Sequence, residues 1–195
     1  MTRSPDAPGQ EYAERCYRSS GGIGGGVLLL ALAAWLGGDA IVSGEGDTPW
    51  LALAGLLFAV PLIIAFTLRP AVWAGEERLL VRNPFRTITL PWACVEAVRA
   101  GYSSEVLAGG SKYQLWAIPV SLRQRKRATR RQASGSQDGP LRAPSDQAIA
   151  DLNELAERCA SNEAAQGAPS VRWAYELMVP SAVGLVLLAV LAAVI

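Results

Sequence analysis

The sequence predicts an α-helical membrane protein with three spans, joined to an α+β cytoplasmic domain in which an antiparallel curved sheet or barrel is closed by a C-terminal helix. Three observations predict it. Apolar runs at 21–38, 50–68 and 177–195 hold 18, 19 and 19 residues without a charge. At a helical rise of about 1.5 Å per residue, each approaches the roughly 30 Å of a bilayer's hydrocarbon core. Between the second and third runs, short stretches alternate apolar and polar residues with the period of strands, and an amphipathic helical stretch follows them.

The first run, after Arg15 and Arg18, reads as a retained span and not a signal peptide, because its apolar part is long, no A-x-A site follows and a second span comes after a short turn. Gly21, Gly22, Gly24, Gly25 and Gly26 crowd its start. They offer small-xxx-small spacing at 21/25 and 22/26 for close helix approach, or else a loose, poorly helical beginning. Pro61 and Pro180 fall inside spans two and three, where kinks are tolerated.

Orientation follows from the flanks. Residues 39–49, "DAIVSGEGDTP", carry Asp39, Glu45 and Asp47 and no basic residue, while Arg15, Arg18, Arg69 and Arg172 lie at the opposite ends of the spans. The positive-inside bias therefore places the N-terminus and residues 70–171 in the cytoplasm, with the acidic turn and the C-terminus outside the cell membrane. Trp35, Trp50, Trp73, Trp173 and Tyr175 fall near the inferred interfaces, and Glu176 reaches headgroup water at the edge of span three.

The cytoplasmic segment starts with strand signals at 77–83, "ERLLVRN", and 85–92, "FRTITLPW", around a turn at Asn83-Pro84. A weaker strand is read at 94–101, "CVEAVRAG", and another at 112–122, "KYQLWAIPVSL", bounded by Gly109-Gly110. The closing helix begins at Pro144-Ser145, with Ser145 as N-cap and Ile149, Leu152, Leu155, Ala156 and Cys159 on one apolar face. The predicted organisation is an N-terminal tail (1–19), a two-span hairpin (20–69), a cytoplasmic domain (70–162) with a basic insert at 123–143, a linker (163–171) and a third span (172–195).

Strands followed by one closing helix is a pleckstrin-homology-like layout. The stretch 75–101, "GEERLLVRNPFRTITLPWACVEAVRAG", resembles small actinobacterial membrane proteins carrying a bacterial PH-like domain, in which an acidic turn precedes a strand, "VRNPFRT" forms the hairpin and "LPWACVEAVR" follows. A pair of spans directly upstream is typical of them too. The third span and the basic insert depart from the shorter members. The resemblance implies a fold and a location; the members are largely without an assigned activity.

The chemistry available is narrow. The chain has no histidine, which removes histidine-paired nucleophiles and most transition-metal sites. Cys16, Cys94 and Cys159 are odd in number and lack any CxxC spacing, so they read as free thiols. Glu76, Glu77, Glu96 and Glu105 are carboxylates that no sequence feature ties into an acid-base pair. The expectation is a protein that is not an enzyme, with no catalytic residues, cofactor or metal.

Net charge is +1, so distribution matters more than balance. "RQRKRATRR" (123–131) holds Arg123, Arg125, Lys126, Arg127, Arg130 and Arg131, candidate contacts for anionic lipid headgroups at the cytoplasmic leaflet. It reads equally as a solvated loop that reinforces topology. Interleaved aromatics and DNA-binding signatures are missing, so nucleic acid is not expected. Arg78, Arg82 and Arg86 are spread along the hairpin and read as a solvated face. The expected partners are the bilayer and a protein or peptide docked on the domain. The alternatives are a subunit of a transport or channel assembly, or an enzyme acting on lipid or an envelope precursor.

Overall fold

The computed structural model describes residues 15–120 and 143–194. The chain divides into two compact units. One consists of Ala71–Arg82, Thr87–Val171 and the strand Arg15–Tyr17; the other of Ser19–Pro70, Asn83–Arg86 and Arg172 onward.

Unit two is helical. Helix α1 (Ser20–Ser43) starts at the glycine cluster, with the Ser19 hydroxyl accepting from the Gly22 amide at 3.1 Å. The cap and the regular turns that follow rule out a loose beginning. Helix α1 also runs through Asp39 to Ser43, so the acidic turn is shorter than the 39–49 read from the sequence. A carboxylate in the last exposed turn does not break a helix, because its head can face water. Helix α2 (Thr48–Ile63) carries Pro61 and passes into a π-helical turn, Ile64–Leu68. Such a wide turn absorbs the displaced backbone bonding that a proline leaves behind. Helix α4 (Tyr175–Val194) follows at the C-terminal side. Three helical segments, Ser20–Ser43, Thr48–Leu68 and Tyr175–Val194, are long and apolar enough to cross a membrane.

Close packing in this unit uses glycine selectively. A Cβ on Gly184 of α4 would collide with backbone of α2 at Leu57 and Phe58, and one on Gly37 would lie 2.7 Å from the Leu56 side chain. Of the early glycines, Gly26 abuts Thr67, whereas Gly21, Gly24 and Gly25 face open space. Small residues at such positions let helix backbones approach closely.

The described residues form two antiparallel sheets. Strands β1 (Arg15–Tyr17), β2 (Ala71–Ala74), β3 (Arg78–Arg82), β4 (Arg86–Pro91) and β8 (Ser170–Trp173) form one sheet in the order β1-β2-β3-β4-β8. Strands β5 (Val95–Ala100), β6 (Ser104–Ala108) and β7 (Ser111–Gln114) form another. Among the described residues no ladder joins the two into a closed barrel. Alternation does what the pattern predicts: Leu79 and Val81 from β3 and Ile88 and Leu90 from β4 are fully buried. Trp92 joins them, its indole N–H donating to the Gly75 carbonyl at 2.9 Å.

Other boundaries moved. Strand 112–122 stops at Gln114, and Leu115, Ala117 and Ile118 turn into the core instead of continuing the ladder. Its partner β6 was not foreseen. Gly109 and Gly110, at φ +55° and +71°, make the two-residue turn between β6 and β7, a conformation that primed hairpin turns demand. In β5 the register shifts between Val95 and Ala97, a bulge that leaves Val98 as the buried residue. The linker at 163–171 contains a 3-10 turn, Glu163–Ala165, with Ala165 fully buried, and then enters β8.

Helix α3 (Pro144–Cys159) closes unit one. Its N-cap is Ala143, not Ser145. Pro144 takes the first helical position, where its missing N–H is no loss, and the Ser145 side chain is buried one step inside. The predicted face is correct: Ile149, Leu152, Leu155, Ala156 and Cys159 are all buried. Asn153 fixes the helix to β5, accepting from the Val98 amide at 2.8 Å and donating to the Val98 carbonyl at 2.9 Å. One side-chain amide thus mimics a neighbouring strand at the outer edge of the three-stranded sheet.

Candidate functional site

The hairpin of β3 and β4 is the element that links local sequence to a site. Its four-residue tip, Asn83–Arg86, has Pro84 at the second position, where a fixed φ suits the turn, and the Asn83 amide donates to the Arg86 carbonyl at 2.8 Å. This tip belongs to unit two with the long helices.

Within unit two the tip is held from several sides. The Phe85 ring meets Phe66, in the π turn ending α2, edge-on with centroids 5.3 Å apart. The Phe85 carbonyl accepts from the Ala174 amide at 2.9 Å, just before α4. Arg69 donates from Nε to the Asn83 carbonyl at 3.3 Å and pairs through Nη1 with Glu176 at 3.0 Å. Arg86 lies with its guanidinium carbon 5.6 Å from the centre of the Trp173 ring. Trp173 is 49% exposed and Tyr175 63% exposed, and Arg86 and Arg172 are exposed beside them. The end of one long helix, the start of another and a hairpin tip therefore meet in a collar of arginines and aromatic rings.

Unit one carries a second arginine–indole pair, with the Arg82 guanidinium carbon 4.9 Å from the centre of the Trp73 ring. Arg78 instead pairs with Glu77 at 2.7 Å. The three hairpin arginines, read from sequence as a solvated face, thus have separate roles. Alternate spacing could not show this, because the stacking tryptophans come from β2 and β8.

The N-terminal strand β1 is tied to α3. Arg15 lies 3.7 Å from Asp151, and the Tyr17 hydroxyl donates to the same carboxylate at 3.5 Å. Partial burial, aided by the Asp151 charge, raises the Tyr17 pKa. Burial likewise pushes the Cys94 thiol up, and its Sγ donates to the Pro91 carbonyl at 2.9 Å. Such a thiol is a poor nucleophile near neutral pH.

The four carboxylates named from sequence are dispersed in role. Glu77 pairs with Arg78, Glu96 accepts from the Gly110 amide at 2.9 Å, and Glu105 accepts from the Ser103 hydroxyl at 2.9 Å. Glu76 is exposed. The candidate lipid contacts Arg123, Arg125, Lys126, Arg127, Arg130 and Arg131 lie outside the described residues.

A comparison with family models bears on unit one. Residues 69–158 match the family described as Bacterial PH domain. The match begins at Arg69, directly after the second long helical segment, and runs to Arg158 in α3. The strands from β2 to β7 and the closing helix are therefore a PH-like domain, as the hairpin and helix pattern implied. The chain matches no curated protein and no solved structure.

Proposed function

We propose that this chain is an integral protein of the cell membrane that presents its PH-like domain at the cytoplasmic face as a docking module for a protein or peptide, and that it is not an enzyme. The observation that carries the reading is the placement of the hairpin tip: Asn83–Arg86 is packed with the ends of two helices long enough to span a bilayer. Helix ends that hold such a tip lie at the membrane surface in this reading, where a PH-like module can gather a partner. Arg15, Arg18, Arg69 and Arg172 at one set of helix ends, with Glu45 and Asp47 between α1 and α2, support an N-terminus and PH-like domain inside and a C-terminus outside. PH-like sheets offer edges and loops suited to docking a peptide strand.

Two measurements test this. Alkaline extraction of membranes should leave the full chain in the pellet, and a reporter inserted at residue 46 should report an extracytoplasmic position. Recovery in the soluble fraction, or a cytoplasmic signal at residue 46, refutes the membrane reading. Photo-crosslinking from Tyr102, fully exposed in the turn between β5 and β6, should give a discrete adduct in native membranes. Absence of any adduct from this and neighbouring loop positions refutes docking.

A further inference from the structure

Helices α2 and α4 touch at one level and part at another. A Cβ on Gly184 would collide with the backbone of Leu57 and Phe58, so at that level no side chain separates the two helices. Beyond it, towards the start of α2 and the end of α4, they enclose a groove of about 460 Å³. That volume lies within the roughly 300–1,000 Å³ of small-molecule sites. Trp50, Leu53 and Ala54 line the groove from α2, and Leu187, Val190 and Leu191 line it from α4. The indole N–H of Trp50 is the only polar side-chain group in the lining. Ala54 is buried, whereas Trp50, Leu53, Leu187 and Val190 are well exposed, so the groove is reached from outside the helix pair.

We propose that this groove binds one hydrocarbon chain of a membrane lipid whose headgroup carries an ammonium. The proposal goes beyond the docking reading and rests only on its membrane part. A wedge closed at one end by touching backbones admits a chain one methylene wide, whereas a helix of a second copy, about 10–12 Å across, cannot follow it inward. From Trp50 to Leu57 α2 rises about 10 Å, the reach of the chain segment nearest a headgroup. The charge above the groove selects that headgroup. Asp47 is the N-cap of α2, one turn before Trp50, and its carbonyl accepts from the Leu51 amide at 3.1 Å. The Glu45 carbonyl accepts from the Thr48 amide at 3.2 Å, so both residues sit at the mouth of the helix. Both are exposed, and residues 39–49 contain no basic residue. A phosphate without a compensating cation is repelled there, while an ammonium is attracted to the carboxylates and to an open indole face.

The test uses the full chain reconstituted in equal parts of phosphatidylethanolamine and phosphatidylglycerol, then stripped in detergent and read by native mass spectrometry. The native protein should keep one lipid per chain and favour phosphatidylethanolamine by about five-fold at low salt. Val190→Trp and Leu53→Trp, which fill the groove from exposed walls, should lose the lipid, whereas Leu28→Trp, exposed on α1, should keep it. Glu45→Gln with Asp47→Asn should keep the lipid and lose the preference; the Asp47 side chain makes no capping bond, so the helix start is spared. Retention of the lipid by both filled variants overturns the site, and equal retention of the two lipids by the native protein overturns the headgroup. A protein dimer that both filled variants dissociate assigns the groove to a second copy and overturns the lipid. Should neither filled variant accumulate, one equivalent of phosphatidylethanolamine with brominated chains should quench the fluorescence that native protein has in excess of Trp50→Phe, and no quenching refutes the proposal. Failure of the membrane reading is distinguishable, since it shows as native protein extracted by alkali before any lipid is measured.

Discussion

Asn153 offers the sharpest test of how the PH-like domain is closed. Its amide accepts from Val98 N–H and donates to both the Val98 and Ile149 carbonyls, at 2.8, 2.9 and 3.0 Å. Val98 is 2% exposed, so water has little access to replace a lost partner. Asn153→Ala should leave the Val98 N–H and C=O without partners, and each buried unsatisfied group costs about 1–3 kcal/mol. A combined loss of about 2–4 kcal/mol follows, discounted from the upper bound because the helix can shift slightly. Hydrogen exchange of the peptide covering 95–100, measured on the full chain in detergent, should quicken by about one to three orders of magnitude. Asn153→Asp sharpens the test. A carboxylate there still accepts from Val98 N–H but faces two carbonyl oxygens, so folding favours the protonated acid and its folded pKa is raised. The stability it retains is present below the unfolded aspartate pKa and is lost as pH rises through the raised folded value. The variant should therefore be markedly less protected at neutral pH than in acid. Unchanged exchange in Asn153→Ala, or a pH-independent Asn153→Asp, would refute the claim that this amide closes the sheet edge.

Gly184→Val should force α2 and α4 apart, since its added carbons meet the backbone at Leu57 and Phe58; a loss of about 1–3 kcal/mol is expected from the thermal midpoint in detergent, while Gly24→Val, facing open space, should stay within about 0.5 kcal/mol. Trp92→Phe removes the bond to the Gly75 carbonyl and leaves a void at a fully buried position, which should lower stability by about 2 kcal/mol in denaturant titration of the same preparation. In thiol labelling, exposed Cys16 should react first and buried Cys159 only on unfolding. Cys94 should react slowly, its rate still rising above the pH at which a free thiol levels off. Because its folded pKa is raised, the stability tied to that protonated thiol is present below the unfolded thiol pKa and lost as pH rises through the folded value.

The long helices, the hairpin and the closing amphipathic face were legible in the sequence because each rests on a local period. Uncharged runs of hydrocarbon length need no partner to be recognised, and Leu79, Val81, Ile88 and Leu90 declare a buried face by alternation alone. The short strands were not legible. β1, β2, β6 and β8 hold three to five residues, too few for a period to stand out, and each is a strand only because a neighbour supplies its ladder. Ser145 carried the right chemistry for a cap, but Pro144 before it took the first helical position and moved the cap two residues back, to Ala143.

By itself the amino-acid order determined which stretches are apolar enough for lipid, which side carries arginine and which strands alternate, since these depend on composition and spacing along the chain. Only the tertiary structure decided that the Asn83–Arg86 tip packs with the helix ends, that Arg86 lies on Trp173 while Arg78 pairs with Glu77, and that Asn153 closes the edge at Val98. Arg86 with Trp173 and Asn153 with Val98 join residues more than fifty positions apart, and even the choice of Glu77 by Arg78 is made among the partners that packing offers, which no local pattern encodes.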